Sequence, residues 1–271
     1  MTQELLEGRR LLFIAGLHRS GTTEVNASLA THPEVSGFAG TGAPHDEGQH
    51  LQNVYPTARV YGGPGRFAFA PAAHLTEASE LVGPAAAERL FGQWSRYWDA
   101  SRPVLIEKSP PNLIRMRFLQ ALFPSARFLV IVRHPVTTAL ATTKLATTRR
   151  MRRTFRTPDL GRTLEHWFAA HRIFLDDLPL VRDVLVVRWE DLRDGPDQTF
   201  SRIAEFAGLD DAFVRPKLNP TVDERYRREW EDMIRTRAGS RPLRVAQAHE
   251  AEAGRFGYSI RDSTSMSGLS L

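Results

Sequence analysis

The sequence predicts an α/β fold with three layers, in which a central parallel sheet lies between helices. Apolar strands alternate with helical segments, and the strands are apolar enough to be buried on both faces. The chain has 271 residues, of which 42% are hydrophobic, so it can bury an ordinary core. We expect one domain over residues 1–261 and a disordered, serine-rich tail over 262–271.

The first half of the chain begins with a strand over 10–17, because RLLFIAGL is almost continuously apolar. A helix over 21–32 follows and ends before a proline, which disfavours helical backbone in the preceding residue. Residues 33–74 are rich in glycine, proline and histidine and lack periodicity, and a loop of that length is usually functional. Residues 76–100 are predicted to be helical, with a break at a Gly-Pro pair.

The second half alternates in the same way. Its strands are predicted where apolar runs are short and rich in Val, Ile and Leu, and its helices where apolar residues recur at helical spacing. The predicted strands are 103–109, 126–133 and 183–192. The predicted helices are 111–123, 135–148, 160–178 and 195–209.

The loop GLHRSGTT after the first strand has the spacing of a phosphate-binding P-loop. Gly16 and Gly21 stand five apart and Thr23 closes the motif, but Thr22 replaces the expected lysine. Amides at a helix N-terminus and hydroxyl groups bind an anion without that lysine. Arg19 adds a planar fork that suits phosphate oxygens. The loop therefore predicts a P-loop-type anion site that is not built for β- and γ-phosphates.

Two later strands also end in polar motifs, EKSPPN and VRHP. Ligands of parallel sheets bind at the carboxyl ends of the strands. Lys108 of the first motif and Arg133 of the second are therefore expected to meet the glycine loop in one crevice.

The segment FIAGLHRSGTT resembles the 5′-phosphosulfate loop of sulfotransferases that use 3′-phosphoadenosine 5′-phosphosulfate (PAPS). Further segments are similar to bacterial, carbohydrate and tyrosylprotein members in the same order, over roughly residues 10–259: ATHPEV, EKSPPN, FPSARFLVIVRHP, VVRWEDLRDGPDQTFSRIAEFAGL and GRFGYS. The resemblance implies transfer of a sulfuryl group from PAPS to a hydroxyl or amine, without a metal. PAPS carries no β- or γ-phosphate, which explains the missing lysine.

The resemblance also implies which residues bind the donor. They are His18, Arg19, Ser20, Gly21, Thr22, Thr23, Arg133, Thr142 and Trp189. Arg133 matches the arginine that binds the 3′ phosphate, but Ala141 stands where the family has a serine, so Thr142 is assigned in its place. Trp189 matches an aromatic residue near the adenine of some relatives, or it is a core tryptophan.

The implied catalytic residues are Arg19 and Lys108, which stabilise the leaving phosphate, and Glu47, which activates the acceptor. Relatives of the tyrosylprotein type place a carboxylate shortly after the His-Pro pair that ends the first helix. The matching positions here are Ala39 and Gly40, which cannot act as bases, and the next acids come in PHDEGQH. Alternative bases are Asp46, His45 and His50; alternatively, the two acids only cap a helix that starts at Gly48. The histidines, five apart and without a clear third ligand, do not indicate a metal site.

Composition limits the partners. The net charge of +5 is concentrated in residues 144–156, which form either a solvated face or a lip for a polyanionic ligand. Zinc-finger, basic-zipper and RNA-binding signatures do not accompany the charge, so no nucleic-acid partner is expected.

There is no apolar run of membrane-spanning length and no cysteine, which fits a cytoplasmic protein. The expected acceptor is a small molecule, a carbohydrate or a lipid-linked group.

Two other functions remain open at this point. One is a small-molecule kinase of P-loop type that uses ATP and magnesium, and the missing lysine counts against it. The other is an anion-binding module without catalytic activity, which Ala141 and the unassigned base allow.

Overall fold

The structure, a computed structural model, describes residues 6, 8–146, 159–216, 218–238, 240–263 and 265–271. Its strands form a parallel five-stranded sheet in the order β2-β3-β1-β4-β5. The strands are β1 Arg10–Gly16, β2 Val35–Ser36, β3 Val104–Lys108, β4 Arg127–Val132 and β5 Val184–Arg188.

Helices connect the strands and continue beyond β5. They are α1 Thr22–Leu29, α2 Pro84–Trp94, α3 Met116–Leu122, α4 Pro135–Ala146, α5 Leu160–Asp177, α6 Trp189–Asp194, α7 Pro196–Ala207, α8 Pro220–Thr236, α9 Arg241–Ala248 and α10 Glu250–Arg255. Proline occupies the first turn of several helices, where its missing N–H costs nothing. Within the described residues, no helix has the length and apolar character needed to cross a membrane.

Two hydrophobic cores confirm the three layers. Side chains of β1 alternate between them: Phe13 packs into the core that contains α3, α4 and α5, whereas Ile14 packs into the core that contains α1 and α7. Both residues are fully buried. The predicted alternation of buried strands and covering helices is therefore confirmed as an α/β fold with a central parallel sheet.

The sheet brings the predicted motifs to one edge. Strand β1 lies between β3 and β4, with Ile14 opposite Lys108 and Gly16 opposite Ile131. Because the strands are parallel, the loop after β1, the end of β3 and Arg133 after β4 lie at the same carboxyl edge. The chain crosses from one side of β1 to the other there, which is where open α/β sheets bind ligands.

Several elements differ from the sequence expectation. The helix expected over 76–100 covers only Pro84–Trp94, because Gly83 and Pro84 set its start. The loop 33–74 contains β2 and a series of 3₁₀ turns. Helices α8 to α10 were not predicted, because α8 is mostly charged and α9 and α10 are short. Of the basic window 144–156, residues 147–156 lie outside the described residues, so its role stays a prediction.

Backbone and side-chain contacts join the tail to the rest of the chain. Met266 forms an antiparallel bridge with Tyr258, and Arg188 Nη1 donates to the carbonyl of Ser267 at 2.6 Å. Gly257, at a φ of 76°, turns the chain back so that these contacts form. Composition does not reveal such backbone pairing. The domain boundary at residue 261 and the disorder expected over 262–271 stay predictions.

Candidate active site

The loop after β1 has a backbone that its glycines make possible. Gly21 has a φ of 103°, and a Cβ there would stand 2.0 Å from the ring of Trp189. A Cβ on Gly16 would stand 2.4 Å from the carbonyl oxygen of Ile131. Arg19, the central residue of the turn, adopts a φ of 73°, and its side chain is exposed. The loop thus packs closely against β4 and Trp189. Its backbone curves around a concave space above the start of α1.

Donors converge on that concavity. Helix α1 begins at Thr22, so the amides of its first turn lack intrahelical partners and point out of its N-terminus. Thr22 is buried and Thr23 is exposed. Ser20 is 2% exposed, and its hydroxyl has no hydrogen-bond partner among the described residues. Buried hydroxyl groups ordinarily find partners, so this one fits a site that receives a ligand.

Lys108 and Glu47 form a buried pair beside the loop. Nζ of Lys108 lies 3.5 Å from Oε1 of Glu47 and donates to the carbonyl of His45 at 3.0 Å. The two residues are 1% and 4% exposed. The structure therefore places the predicted lysine and the first-choice carboxylate together, although the loop 33–74 showed no periodic pattern.

A hydrogen-bonded network positions this pair. Gln49 donates from Nε2 to Glu47 at 2.6 Å, and its backbone amide donates to the hydroxyl of Ser109 at 3.0 Å. Ser109 and Asn112 in turn donate to the carboxylate of Glu107, each at 2.6 Å. Burial raises the pKa of Glu107 to about 7, although those two hydrogen bonds oppose the increase. The network links the segment that carries Glu47 to the end of β3.

The alternative bases are arranged differently from Glu47. Asp46 accepts hydrogen bonds from the hydroxyl and amide of Thr41, and the hydroxyl contact leads the causes that lower its pKa. The carboxylate of Asp46 is therefore engaged in hydrogen bonds within its own loop. His45 is exposed and offers its carbonyl to Lys108. His50 lies 3.8 Å from Glu47, and burial lowers its pKa.

His18 faces the same cavity in a neutral state. Burial lowers its pKa to about 4, although the carboxylate of Glu47 opposes the decrease. Its ring stands edge-on to Phe67 at 5.9 Å, and its Nδ1 has no partner among the described residues. His18 is therefore a neutral imidazole at neutral pH, and it adds no positive charge to the loop.

Arg133 and Trp189 meet at the other end of the loop. The guanidinium lies over the indole ring, 4.8 Å from its centroid, and Nη1 donates to the carbonyl of Arg19 at 2.9 Å. Both side chains also contact Asp223 of α8: Arg133 through Nη2, and Trp189 through Nε1 at 3.0 Å. The sequence analysis missed Asp223, which no motif marks.

The hydroxyl groups near Ala141 bond to backbone. Thr142 donates to the carbonyl of His18 at 3.4 Å, and Thr138 donates to the carbonyl of Arg133 at 3.3 Å. Both side chains are buried, as is Ala141. Thr142 therefore ties α4 to the glycine loop, and its assignment to a phosphate stays a prediction.

Two cavities adjoin these groups. The smaller, of about 150 Å³, is lined by His18, Arg19, Gly21, Thr22, Thr23, Glu24, His45, Glu47, Pro110, Arg133 and Leu145. The larger, of about 450 Å³, includes Glu190, Arg193 and Asp223 in its lining. Most predicted site residues therefore line one small cavity, and Trp189 contacts two of them from outside it. Over the described residues, no cluster of three or more His, Asp or Glu side chains is arranged to hold a metal ion.

Solved structures share this fold at low sequence identity. The sulfotransferase domain of the Synechococcus PCC 7002 olefin synthase is 22% identical, with a TM-score of 0.54 over 90% of this chain and 94% of that one. A sulfotransferase from Mycobacterium tuberculosis is 17% identical, with a TM-score of 0.51 over 82% of this chain and 78% of that one. These similarities concern the fold.

The family is shown by sequence. The chain has no significant match among curated proteins. The model of the sulfotransferase family, however, matches residues 12–213, from inside β1 to beyond α7. That range contains the glycine loop, Lys108, Arg133 and Trp189, and it is well over half of the 271 residues. The chain belongs to the sulfotransferase family.

Proposed function

We propose that this protein transfers a sulfuryl group from PAPS to a hydroxyl or amine of an acceptor. One observation supports the proposal: the glycine loop and Glu47 line one cavity at the carboxyl edge of the sheet, and Lys108 pairs with Glu47 beside it. The loop supplies anion-binding amides, the lysine supplies a buried cation, and the carboxylate supplies a base. Sulfuryl transfer requires these three functions.

The residues fit the phosphosulfate end of the donor. Gly16 and Gly21 let the loop pack closely against Ile131 and Trp189, where a Cβ would collide. The amides at the start of α1 are then available to an anion. The unpartnered hydroxyl of Ser20 and the exposed guanidinium of Arg19 add donors from the same turn. Fixed donors aimed at developing charge stabilise a transition state more than a ground state.

The reaction balances without a further reactant. The acceptor oxygen or nitrogen attacks the donor sulfur, and the bond between the sulfur and its bridging oxygen to phosphate breaks. The electron pair of that bond stays on the phosphate, and the proton of the acceptor passes to the carboxylate of Glu47. The products are the sulfated acceptor and adenosine 3′,5′-bisphosphate.

Lys108 is placed to stabilise the leaving phosphate. An ammonium group has three N–H donors. The contacts with His45 and Glu47 engage two of them, which leaves one for the bridging oxygen. Glu47 is held by Gln49 from the other side, so its remaining lone pairs can accept the acceptor's proton. A positioned base contributes about 10²- to 10⁴-fold to the rate.

The test is calorimetric titration with adenosine 3′,5′-bisphosphate, with and without magnesium, against ATP with magnesium. We expect binding of the bisphosphate that does not depend on magnesium. Arg19→Ala should weaken that binding about tenfold or more, because it removes charge-assisted hydrogen bonds. Arg89→Ala is the matched control, since Arg89 is an exposed arginine of α2 that does not line the cavity.

Two results would overturn the proposal. One is binding of ATP with magnesium in place of the bisphosphate, which would favour a kinase. The other is bisphosphate binding without transfer of ³⁵S from labelled PAPS to any member of a panel of phenols, sugars and amines. That result would indicate an anion-binding module.

A further inference from the structure

The carboxylate of Asp223 occupies a position that the proposed function leaves unexplained. It lies in the first turn of α8, is 8% exposed, and accepts hydrogen bonds from three side chains. These donors are Nη2 of Arg133, Nε1 of Trp189 at 3.0 Å and Nη1 of Arg193 at 3.3 Å. A small buried carboxylate with three donors occupies an anion-binding site built from side chains.

Both terminal nitrogens of Arg133 therefore already donate to acceptors within the protein. One terminal nitrogen donates to the carbonyl of Arg19, and the other donates to Asp223. The flat face of the guanidinium lies over Trp189. Its Nε is buried and has no partner among the described residues. An incoming phosphate therefore competes with Asp223 for the N–H groups and the positive charge of Arg133.

The ion pair also stands between the two cavities. Arg133 lines the small cavity with the glycine loop, whereas Asp223 lines the large one. The lining of the large cavity contains more carboxylates than guanidinium groups: Glu190, Asp194, Asp223 and Glu224 against Arg193 and Arg227. At this junction Asp223 repels a phosphate dianion at short range, whereas Arg133 attracts it. Moving the carboxylate away from Arg133 removes the repulsion.

Position 141 on α4 provides no hydroxyl that could donate to the phosphate. Ala141 on α4 has a methyl group, and the hydroxyl groups of Thr138 and Thr142 donate to backbone carbonyls. The affinity for a phosphate beside Arg133 therefore depends mainly on its attraction to Arg133 and its repulsion by Asp223.

We infer that Asp223 is the internal counter-ion of Arg133 and limits the affinity for the 3′ phosphate of the donor, which competes with it for Arg133. The inference rests on the proposed function. This competition lowers the net affinity for a 3′,5′-bisphosphate and leaves the affinity for a 5′-monophosphate unchanged. The carboxylate returns to Arg133 when the product departs, so it favours release of adenosine 3′,5′-bisphosphate.

The experiment measures two probes against three proteins by calorimetry. The probes are adenosine 3′,5′-bisphosphate and adenosine 5′-monophosphate, which differ only in the 3′ phosphate. The proteins are wild type, Asp223→Asn and Asp194→Asn. Asp194 is an exposed carboxylate that lines the same cavity and pairs with Arg193, so its variant controls for a general change of charge.

We expect Asp223→Asn to bind the bisphosphate about tenfold more tightly than wild type, which corresponds to about 1.4 kcal/mol. Its affinity for the monophosphate should change less than about twofold, and Asp194→Asn should match wild type for both probes. Should Asp223→Asn not fold by circular dichroism, Asp223→Ser removes the same charge and serves instead.

Equal or weaker bisphosphate binding by the folded Asp223 variant would overturn the inference, because the carboxylate would then only position Arg133. An equal gain for both probes would also overturn it, since the effect would not depend on the 3′ phosphate. If folded wild type and variant both fail to bind the bisphosphate, the proposed function fails and the inference fails with it.

Discussion

Nζ of Lys108 lies 3.5 Å from Oε1 of Glu47, and both side chains are buried. The pair joins the end of β3 to a segment of 3₁₀ turns that has no other regular structure. Each charge compensates the other in a site that excludes most water. Removing either partner alone therefore leaves an uncompensated buried charge.

Lys108→Met should lower the free energy of unfolding by about 3 kcal/mol, because the carboxylate of Glu47 loses its counter-ion. The double variant with Glu47→Gln should recover most of that loss, since no buried charge remains. Urea unfolding of the four proteins of this cycle measures the coupling. Glu165→Gln, which breaks the exposed pair with Arg241, should change stability by about 0.5 kcal/mol or less. Additive effects of the two buried substitutions would contradict the pairing.

Gly21→Ala should destabilise the fold by about 3 kcal/mol or more. The new Cβ would collide with the ring of Trp189, and a φ of 103° strains any L residue. Gly92→Ala is the control, because Gly92 lies in α2, is exposed, and has open space around it. There the change should be neutral or stabilise by up to about 1 kcal/mol. The melting temperatures of both variants are measured by thermal unfolding. Equal values would show that the loop tolerates the methyl group.

Glu107 predicts a pH dependence of stability. Its folded-state pKa of about 7 lies above the usual value of 4.5, so the folded state holds a proton that the unfolded state releases. The stabilisation is complete below pH 4.5 and is lost as the pH rises to about 7 and above. It amounts to about 3 kcal/mol, from about 1.4 kcal/mol per pKa unit.

The Glu107→Gln variant isolates this effect. Buried histidines such as His166, whose pKa burial lowers to about 3, change stability in the opposite direction, so wild type alone is not informative. The stability of wild type minus that of Glu107→Gln should decrease by about 3 kcal/mol between pH 4.5 and pH 8. A constant difference over that range would mean that Glu107 is ionised throughout.

Ala141→Ser tests the position where the chain departs from its family pattern. A hydroxyl there should strengthen binding of adenosine 3′,5′-bisphosphate about three- to tenfold, since it adds a hydrogen bond to a charged group. Binding of adenosine 5′-monophosphate, which lacks the 3′ phosphate, should stay the same. A gain for both nucleotides, measured by calorimetry, would place the effect elsewhere in the site.

The sequence was sufficient for the sheet and for part of the site. Strands such as β4 are so apolar that only a doubly covered position fits them, and parallel strands bring their carboxyl ends together. Gly16, Lys108 and Arg133 could therefore be placed at one edge, since Gly16 ends β1, Lys108 ends β3 and Arg133 follows β4. The spacing of the two loop glycines indicated an anion before any geometry was known.

The remaining parts depend on contacts between distant segments. Helix α8 is mostly charged, and Tyr226 and Trp230 are its large buried side chains, so its apolar face is sparse in the sequence. Asp223 on that helix could not be linked to Arg133 from sequence. The same holds for Gln49 and Ser109, which acquire a role only because the loop 33–74 folds onto β3.

The stacking of Arg133 on Trp189 gives this protein an intrinsic optical reporter. Trp94, Trp98, Trp167 and Trp230 lie in one core, whereas Trp189 lies in the other, beneath a guanidinium and with its N–H on a carboxylate. Indole emission responds to nearby charge, so rearrangement of that ion pair should change the emission of Trp189 alone. Fluorescence should therefore report, without a label, whether adenosine 3′,5′-bisphosphate rearranges this pair.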